Sequence, residues 1–359
     1  MQKSSVRFVD PTKSPFHKVL QKRVNQYFKE KGISRYGNRK MITKTIILAI
    51  SYLGPLVLIY FVPMAWPISM LLWALMGFGK AGIGMSVMHD ANHGSYSQKK
   101  WVNKLMGASL NLAGASILNW KLQHNVLHHT YTNVSGMDDD IEDNFLLRFS
   151  PYTKSRWYHK AQQFYAFLFY GLTTLYWVTA KDFVQLAQYT KNKVNKQTKK
   201  ENRIALLKII LVKVSYFIFF IGLPVFVFNL PFTQVLIGFL LMHFIAGITL
   251  ATVFQLAHSI EETHHPLPNE EGIIEDNWAM HQIKTTANFA RNSKFLTWYL
   301  GGLNYQIEHH LFPNICHVHY PDIAPIVKKT AEEFQLRYLE HKTFVRALGS
   351  HFKLMKKIV

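Results

Sequence analysis

The chain has 359 residues, a formal net charge of +20 and a hydrophobic fraction of 49%. Its apolar residues gather in long stretches without charge, which excludes an ordinary soluble globular domain and predicts an integral membrane protein. The single cysteine, Cys316, excludes an intramolecular disulfide and suits a reducing environment such as the cytoplasm.

The basic excess admits two interpretations, nucleic-acid binding and the bias of Lys and Arg towards the cytoplasmic side of a membrane. The positions of the charges decide between them. Residues 1–40 carry eleven Lys or Arg against two acidic residues, and residues 181–213 carry nine against two. Both clusters lead directly into an apolar stretch. The charge therefore indicates membrane topology, and we expect no nucleic-acid partner.

The first two apolar stretches predict a helical hairpin. Residues 42–62 are interrupted only by Lys44, and residues 68–88 only by Lys80. Each stretch is long enough to cross a hydrocarbon core of ~30 Å, which needs about 20 helical residues. The turn between them is uncharged and rich in proline, as expected on the outer side of a membrane.

The second pair of stretches repeats this plan. Residues 204–228 are apolar except for Lys208 and Lys213, an uncharged turn follows, and residues 235–257 form the fourth stretch. Both turns lack Lys and Arg, whereas the opposite ends of the stretches are rich in them. The rule that positive residues stay inside therefore places both termini and the middle segment in the cytoplasm.

Two further uncharged stretches, residues 105–120 and 164–180, predict interfacial or re-entrant helices. If the first stretch spanned the membrane, the histidine motifs before and after it would lie on opposite sides. If only the second spanned, the basic segment 181–213 would lie outside. We expect a basic cytoplasmic N-terminal segment at 1–40, one membrane domain at 41–325 and a cytoplasmic helical tail at 326–359.

Three histidine motifs predict a metal centre. They are His-Asp-Ala-Asn-His at 89–93, His-Asn-Val-Leu-His-His at 124–129 and Gln-Ile-Glu-His-His at 306–310. Histidines four apart share one face of a helix and can bind one ion, while a neighbour at i+5 can turn to a second. Seven histidines exceed the ligands of one zinc site. His89 directly follows the second apolar stretch and His258 directly follows the fourth, so both hairpins bring imidazoles to the same side.

The chemistry favours iron in such a site. Breaking an unactivated C–H bond requires a strong oxidant, and iron with open coordination positions can bind and reduce dioxygen. Asp90, Asn92, Asn125 and Glu308 stand among the histidines and are candidates to orient imidazole N–H groups. Solvent exposure or helix capping is the alternative interpretation for each of these four residues.

The three motifs together resemble those of the membrane fatty acid desaturase family, over about residues 60–325. The third motif, with glutamine in place of its first histidine, is similar to the front-end branch, which includes linoleoyl-CoA desaturase-like proteins. The resemblance implies an all-α integral membrane fold, with four transmembrane helices under a cytoplasmic helical cap and a non-haem di-iron centre. It implies these iron ligands: His89, His93, His124, His128, His129, His258, His309 and His310. Gln306 is implied as a weak ligand or as a hydrogen-bonding neighbour.

The resemblance also implies partners. The substrate is an acyl chain, as acyl-CoA or acyl-lipid, and membrane lipid surrounds the enzyme. Many front-end members carry a fused cytochrome b5 domain marked by His-Pro-Gly-Gly, a motif this sequence lacks. We therefore expect electrons from a separate ferredoxin or cytochrome that docks on a basic face.

Other polar residues have two interpretations each. His281 either approaches the metals or lies on the surface of a helix, and the surface position is the favoured interpretation. His243, inside the fourth stretch, either lines an acyl tunnel or bonds between helices. The aspartates at 138–140 form a solvated loop by default, with bonding to metal ligands as the alternative. His317 and His319 either hydrogen-bond to residues that bind the metals or have no role at the site. Surface positions are expected for His17, His159, His341 and His351.

The predicted reaction forms a cis double bond with dioxygen and two electrons. A membrane di-iron hydroxylase of alkanes, fatty acids or carotenoids is the nearest alternative. A non-enzymatic metal transporter or sensor is the alternative from another class. Transporters place metal-binding groups near the bilayer midplane, whereas nearly all histidines here lie outside the apolar stretches. Chain length and double-bond position depend on the shape of the tunnel and therefore on the tertiary structure.

Overall fold

The computed structural model describes residues 6–140 and 145–358, so the first five residues of the predicted N-terminal segment lie outside it. The described chain is mostly helical. Its helices are α1 (Phe16–Lys31), α2 (Arg39–Phe61), α3 (Trp66–His93), α4 (Lys100–Gly107), α5 (Ser109–Leu112), α6 (117–131), α7 (162–191), α8 (Lys199–Val227), α9 (Phe232–His258), α10 (Trp278–Thr285), α11 (Lys294–Tyr299), α12 (Gln306–Leu311), α13 (Tyr320–Glu333) and α14 (Phe344–Lys357).

Short elements complete the fold. Two 3₁₀ turns lie at Trp157–Ala161 and His317–His319. Two parallel pairs of two-residue strands join distant parts of the chain: β1 (Arg7–Phe8) with β2 (Ile273–Ile274), and β3 (Asn288–Phe289) with β4 (Glu340–His341). These pairs tie the N-terminal segment and the C-terminal part to the segment that follows α9.

Four of the helices, α2, α3, α8 and α9, are long and apolar enough to cross a membrane. Local capping sets where two of them begin. The Asn38 side chain accepts a hydrogen bond of 2.9 Å from the Lys40 backbone N–H at the start of α2. Thr198 and Glu201 form a capping box at the start of α8, so this helix begins five residues before the apolar stretch.

The spanning helices pack around large buried side chains. α2 packs on α3, and α9 packs on both α3 and α7. Tyr52, Trp73, Met76 and Phe239 belong to the core between them. Gly238 on α9 lies directly against the indole ring, since an added Cβ would come within 2.2 Å of Trp73 Cδ1. The absence of a side chain at this position lets the indole fit between the two helices.

The two uncharged stretches differ from each other in structure. The stretch at 164–180 lies within one continuous helix, α7, which packs along α9. The stretch at 105–120 is not a single helix, because the chain breaks after Gly107 and turns at Gly114, whose φ is +80°. Glycine adopts this left-handed conformation without a steric cost, so the segment folds back as short helices.

The contact between α7 and α9 is a backbone-to-backbone approach. A Cβ added to Gly247 would lie 2.5 Å from the carbonyl oxygen of Gly171 and 2.6 Å from that of Tyr170. No real Cβ tolerates such a distance to a backbone atom, so the two helices would have to separate. Tyr170, whose carbonyl oxygen is part of this contact, lines the cavity described below.

We therefore expect Gly247→Ala to destabilise the protein by about 1–3 kcal/mol, because overpacking forces the backbone to shift. Gly222→Ala is the matched control, since the nearest atom to its added Cβ lies at 3.9 Å. Thermal unfolding in detergent measures both variants. Equal melting temperatures for the two would contradict the close packing of α7 and α9.

A second apolar core joins the N-terminal helix to the C-terminal part. Phe16 and Leu20 of α1 pack with Tyr320 and Val327 of α13. Ile307 of α12 belongs to the same core, which therefore holds the helix that carries the third histidine motif. α13 runs without a break across position 325, where the sequence analysis divides the membrane domain from the tail.

Candidate metal centre

Eight histidines from four helices converge on one region of the structure. α3 supplies two of them, α6 three, α9 one and α12 two. All are buried except His93, which is half-buried. They are His89, His93, His124, His128, His129, His258, His309 and His310. The structure thus brings together every histidine that the resemblance implies as a ligand.

The imidazoles form two groups whose candidate ligand atoms lie within 4.8 Å of one another. The first group contains His89, His93, His124 and His309, and the second contains His128, His258 and His310. His129 stands between them. Its Nε2 is 3.3 Å from the Nε2 of His124, and its ring lies 4.5 Å from that of His310. Two neighbouring metal ions fit this arrangement better than one.

Widened helical turns produce this geometry. α3 contains a π-helical turn at Ile83–Val87, and α6 contains one at Lys121–His128. A π-turn brings residues five apart together, and the rings of His124 and His129 are 4.8 Å apart. In a regular α-helix these residues would point about 140° apart. The rings of His124 and His128, four apart, still stack at 5.2 Å, but His124 also meets His89, His93 and His309, whereas His128 also meets His258 and His310.

Many buried imidazole nitrogens have no partner in the described part of the chain. They include the Nε2 atoms of His93, His128, His258, His309 and His310. The Nε2 atoms of His89 and His124 face each other at 3.2 Å. Buried polar atoms without partners are costly and rare. A cation held within each group would satisfy these nitrogens, so the residues fit a metal centre, and imidazole suits iron, zinc, copper or nickel.

Carboxylates hold the opposite nitrogens of two of these rings. The Nδ1 of His128 donates to Asp138 at 2.9 Å, and that of His124 donates to Asp140 at 2.7 Å. Such bonds fix the tautomer that leaves Nε2 free for a metal. The interpretation of these two aspartates as part of a solvated loop is wrong. Asp138 is buried and Asp140 half-buried, because the loop folds back onto α6.

Gln282 is a residue that sequence reasoning missed. Its Oε1 accepts from Nδ1 of His310 at 2.8 Å and from the hydroxyl of Thr132 at 2.9 Å. Its Nε2 donates to the backbone oxygen of His129 at 3.3 Å. One amide thus holds two segments of the site together. The only signal in the sequence was its place beside His281.

His281 itself lies elsewhere. It is buried rather than on a helix surface, so that interpretation is wrong, and it belongs to neither imidazole group. Its ring meets the edge of Phe8 at 4.9 Å, because β1 of the N-terminal segment covers α10. Burial lowers the pKa of His281 to about 3, which keeps its ring neutral at ordinary pH.

Two other proposed ligands are held by single oxygen atoms. The Nδ1 of His258 lies 3.4 Å from the backbone oxygen of Thr285, and that of His309 lies 3.2 Å from the hydroxyl of Tyr320. Gln306 differs from all of these side chains. Both of its amide atoms are buried without a partner among the described residues, so its side chain retains free hydrogen-bonding capacity beside the third motif.

Asp90 lies beside one imidazole of the first group. Its Oδ1 is 3.6 Å from Nδ1 of His89, and its Oδ2 accepts from Nδ1 of His317 at 2.8 Å. The amine of Lys44 approaches the other nitrogen of His317 at 2.6 Å. His317 thus has a place next to the metal centre, whereas His319 bonds to the backbone oxygen of Tyr36.

The other three polar candidates brace the segments that carry the motifs. The Asn92 amide donates to the backbone oxygen of Gly107, and Asn125 donates to that of Asn92. Glu308 accepts from Asn288 and Tyr338, each at 2.7 Å. Burial raises the pKa of Glu308 to about 7 against the effect of these two hydrogen bonds.

Two of the histidines expected at the surface are buried, so that expectation is wrong for them. His159 is 2% exposed and His351 is fully buried. The Nδ1 of His351 donates to the Ser259 backbone oxygen at 2.6 Å, and its Nε2 accepts from the Tyr170 hydroxyl at 2.9 Å. α14 packs against α7 and thereby covers it. His17 and His341 are half-buried.

The electrostatic environment keeps most of these imidazoles neutral. Burial and then the neighbouring imidazoles lower the pKa of His124, His129, His309 and His310 well below the ordinary value. His128 is the exception. Burial acts to lower its pKa, but the Asp138 carboxylate raises it overall. Neutral imidazole is the form that binds metal, so the site is ready for ions near neutral pH.

A cavity of about 300 Å³ opens beside the first group. His89 and His124 form part of its wall, and the rest comes mainly from α3, α7 and α9. Most of the lining is apolar, including Met88, Tyr170 and Phe254. A flexible hydrocarbon chain fits such a space and would pass directly by the imidazoles.

The sequence matches known proteins along almost its whole length. The family model described as fatty acid desaturase matches residues 61–342, which include all eight histidines. The chain is 37% identical to the sn-1 linoleoyl-lipid 6-desaturase of Arthrospira platensis, over 96% of this chain and 92% of that protein. It is 35% identical to a protein of the same name from Synechocystis, over 96% and 95%. It is 36% identical to the acyl-lipid (8-3)-desaturase of Physcomitrium patens, over 99% and 74%.

Proposed function

This chain belongs to the fatty acid desaturase family and is a membrane enzyme that desaturates acyl chains, and we propose that it acts near the carboxyl end of an acyl chain in a membrane lipid, at two iron ions. The names of its relatives support the acyl-lipid form and the position. The two cyanobacterial relatives are named linoleoyl-lipid 6-desaturases, and the moss relative is named an acyl-lipid desaturase.

The observation that carries the iron proposal is the convergence of unpartnered imidazole nitrogens beside an apolar cavity. The first group would hold one iron and the second group the other, with His129 between them. Gln306 is a weak ligand or a neighbour of one. Iron in these positions would supply the activation of dioxygen that the cleavage of C–H bonds needs.

The protein's own residues position and shield the reaction. Asp138, Asp140 and Gln282 hold the Nδ1 side of their imidazoles, so the Nε2 side stays directed to the metals. The apolar walls exclude water and hold two adjacent methylenes next to His89 and His124. The balanced reaction consumes dioxygen, two electrons and two protons, and it converts the two methylenes to a cis double bond with release of two waters.

We further propose that α2 with α3 and α8 with α9 form two hairpins whose connecting turns face outwards. Both chain ends and the metal centre would then lie in the cytoplasm under a helical cap. The uncharged turns and the Lys- and Arg-rich segments at the other helix ends support this topology. Electrons would come from a separate ferredoxin or cytochrome attracted by the basic residues. Desaturation by the purified chain with NADPH alone would contradict the need for a separate donor.

Fatty acid analysis of a host that expresses the chain tests the function. We expect gas chromatography with mass spectrometry to find new cis double bonds near the carboxyl end of acyl chains, concentrated in membrane lipids. A host transformed with an empty vector is the control. Hydroxylated lipids would instead indicate a hydroxylase, and metal uptake by vesicles without any oxidised product would indicate a transporter.

A further inference from the structure

Four polar side chains meet within the apolar part of the molecule. They are Lys80 on α3, Thr174 on α7, Tyr216 on α8 and His243 on α9, and none is more than 3% exposed. The Lys80 amine donates to the Tyr216 hydroxyl at 2.9 Å, and that oxygen lies 3.1 Å from Nε2 of His243. Thr174 lies 3.0 Å from the other ring nitrogen. We call this set the polar bridge.

The polar bridge lies at one end of the cavity that begins at the metal centre. Lys80 and Thr174 line the same cavity as His89 and His124. α3 follows the cavity along its length, with Gly84 between its two ends. Nine residues separate Lys80 from His89, which corresponds to about 13 Å along a helix. This is the long arm of the cavity.

The wall of the cavity is polar at the end next to His124. Lys181 and Gln123 line it together with Asp140, which bonds directly to the metal-centre imidazole of His124. A polar ester group belongs at this end and a methyl end belongs in the long arm. At roughly 1.3 Å for each methylene, set by the 1.5 Å C–C bond, about ten carbons fit between the metals and the polar bridge.

We propose that the polar bridge stops the methyl end of the acyl chain and so determines the longest chain that this enzyme accepts. The inference rests on the proposed function, because it assumes that the cavity holds an acyl chain. A longer chain would have to push the Lys80 amine away from the Tyr216 hydroxyl. That would leave buried polar atoms without partners in a region that water does not reach, so the stop is stiff.

Two substitutions at one position test the stop. Lys80→Ala removes the side chain that crosses the cavity, whereas Lys80→Met keeps its length without the amine. We expect Lys80→Ala to raise the ratio of 20-carbon to 18-carbon products by about sixteenfold, since two added methylenes become buried and each favours binding about fourfold. For Lys80→Met we expect a smaller rise, of about fourfold or less, because the space stays filled but the hydrogen bond to the Tyr216 hydroxyl that stiffens the stop is lost.

A second measurement does not depend on catalysis. Thermal stabilisation of the purified protein by lysolipids with chains of 16, 18, 20 and 22 carbons reports which chain fits. Lys80→Ala should shift the best-stabilising chain to a length greater by two or more carbons, and Lys80→Met should shift it less. This shift without any desaturated product, in an assay that supplies a reduced ferredoxin or cytochrome, would sustain the stop and reject the proposed function. Product with an unchanged length preference in Lys80→Ala would overturn the stop and leave the polar bridge as a helix clamp.

Gly84→Leu covers the case in which Lys80→Ala does not fold. Gly84 lies in the wall of the long arm, and an added Cβ meets only the flexible end of Leu250, at 3.3 Å. The leucine should fill part of the long arm and shift both products and stabilisation to shorter chains by two to four carbons, each methylene occupying roughly 1.3 Å. An unchanged preference in Gly84→Leu would show that the long arm does not hold the chain and would overturn the proposal.

Discussion

His310→Ala should abolish desaturation and remove close to half of the bound iron. His310 is fully buried, its Nε2 has no partner among the described residues, and it belongs to the group with His128 and His258. Mutation of a residue that hydrogen-bonds to a metal ligand typically lowers metal affinity or activity by about 10–100-fold. Loss of a ligand itself should therefore lower activity by more than about 100-fold. Alanine also leaves the Gln282 amide without the ring that it holds.

The measurement is the iron content of each purified chain together with its desaturated product. His264→Ala is the matched control, because His264 is exposed and belongs to neither imidazole group. It should retain both metals and full activity. Two irons and normal product in His310→Ala would refute the assignment of the second group as a metal site.

Asp138→Asn should weaken metal binding by about 10–100-fold while leaving the fold in place. The carboxylate accepts from Nδ1 of His128 and from the backbone N–H of Asn133. It also raises the pKa of His128 against the effect of burial, so it stabilises positive charge on that ring. An asparagine keeps the shape but loses the charge and offers an N–H group to the imidazole. The ring is then free to adopt the tautomer that presents N–H to the metal.

Competition with a chelator measures this effect, because the variant should release iron at lower chelator concentration than the wild type. Asp322→Asn is the control for loss of a negative charge, since Asp322 is exposed at the start of α13. Equal iron retention in both variants would show that the bond from Asp138 does not support the metal centre. A large fall in melting temperature for Asp138→Asn would point instead to a role in folding.

The prediction of the family is confirmed by the match over residues 61–342, and it rested on three short motifs. The membrane-spanning helices could also be predicted from the sequence, because a membrane imposes a rule that depends only on local composition. A backbone that crosses hydrocarbon must satisfy its own hydrogen bonds, which makes a long apolar stretch a helix whatever its neighbours are. The stretch that begins at residue 42 therefore became α2, and the fourth stretch became α9, within a few residues of the predicted limits.

The interpretations that failed concern residues whose role depends on distant segments. His281 was expected on a surface, but β1 comes from 270 residues earlier in the chain and covers it. Asp138 and Asp140 have the composition of a solvated loop, and only the return of that loop to α6 places them against imidazoles. Gln282 carried no motif, although it joins two parts of the site.

The sequence by itself determined the membrane class and the approximate spanning segments, since both depend on local composition, and the family resemblance carried by the three motifs implied which histidines meet. Only the tertiary structure decided how those histidines divide into two groups, because the segments that bring His309 to His124, and His258 and His310 to His128, are far apart in the chain. The tertiary structure also decided which side chains hydrogen-bond to the imidazole rings of the metal centre. It likewise placed Lys80 and His243 in one polar bridge. Such contacts form between residues far apart in the chain, and hydrogen-bond geometry is set only when the helices pack.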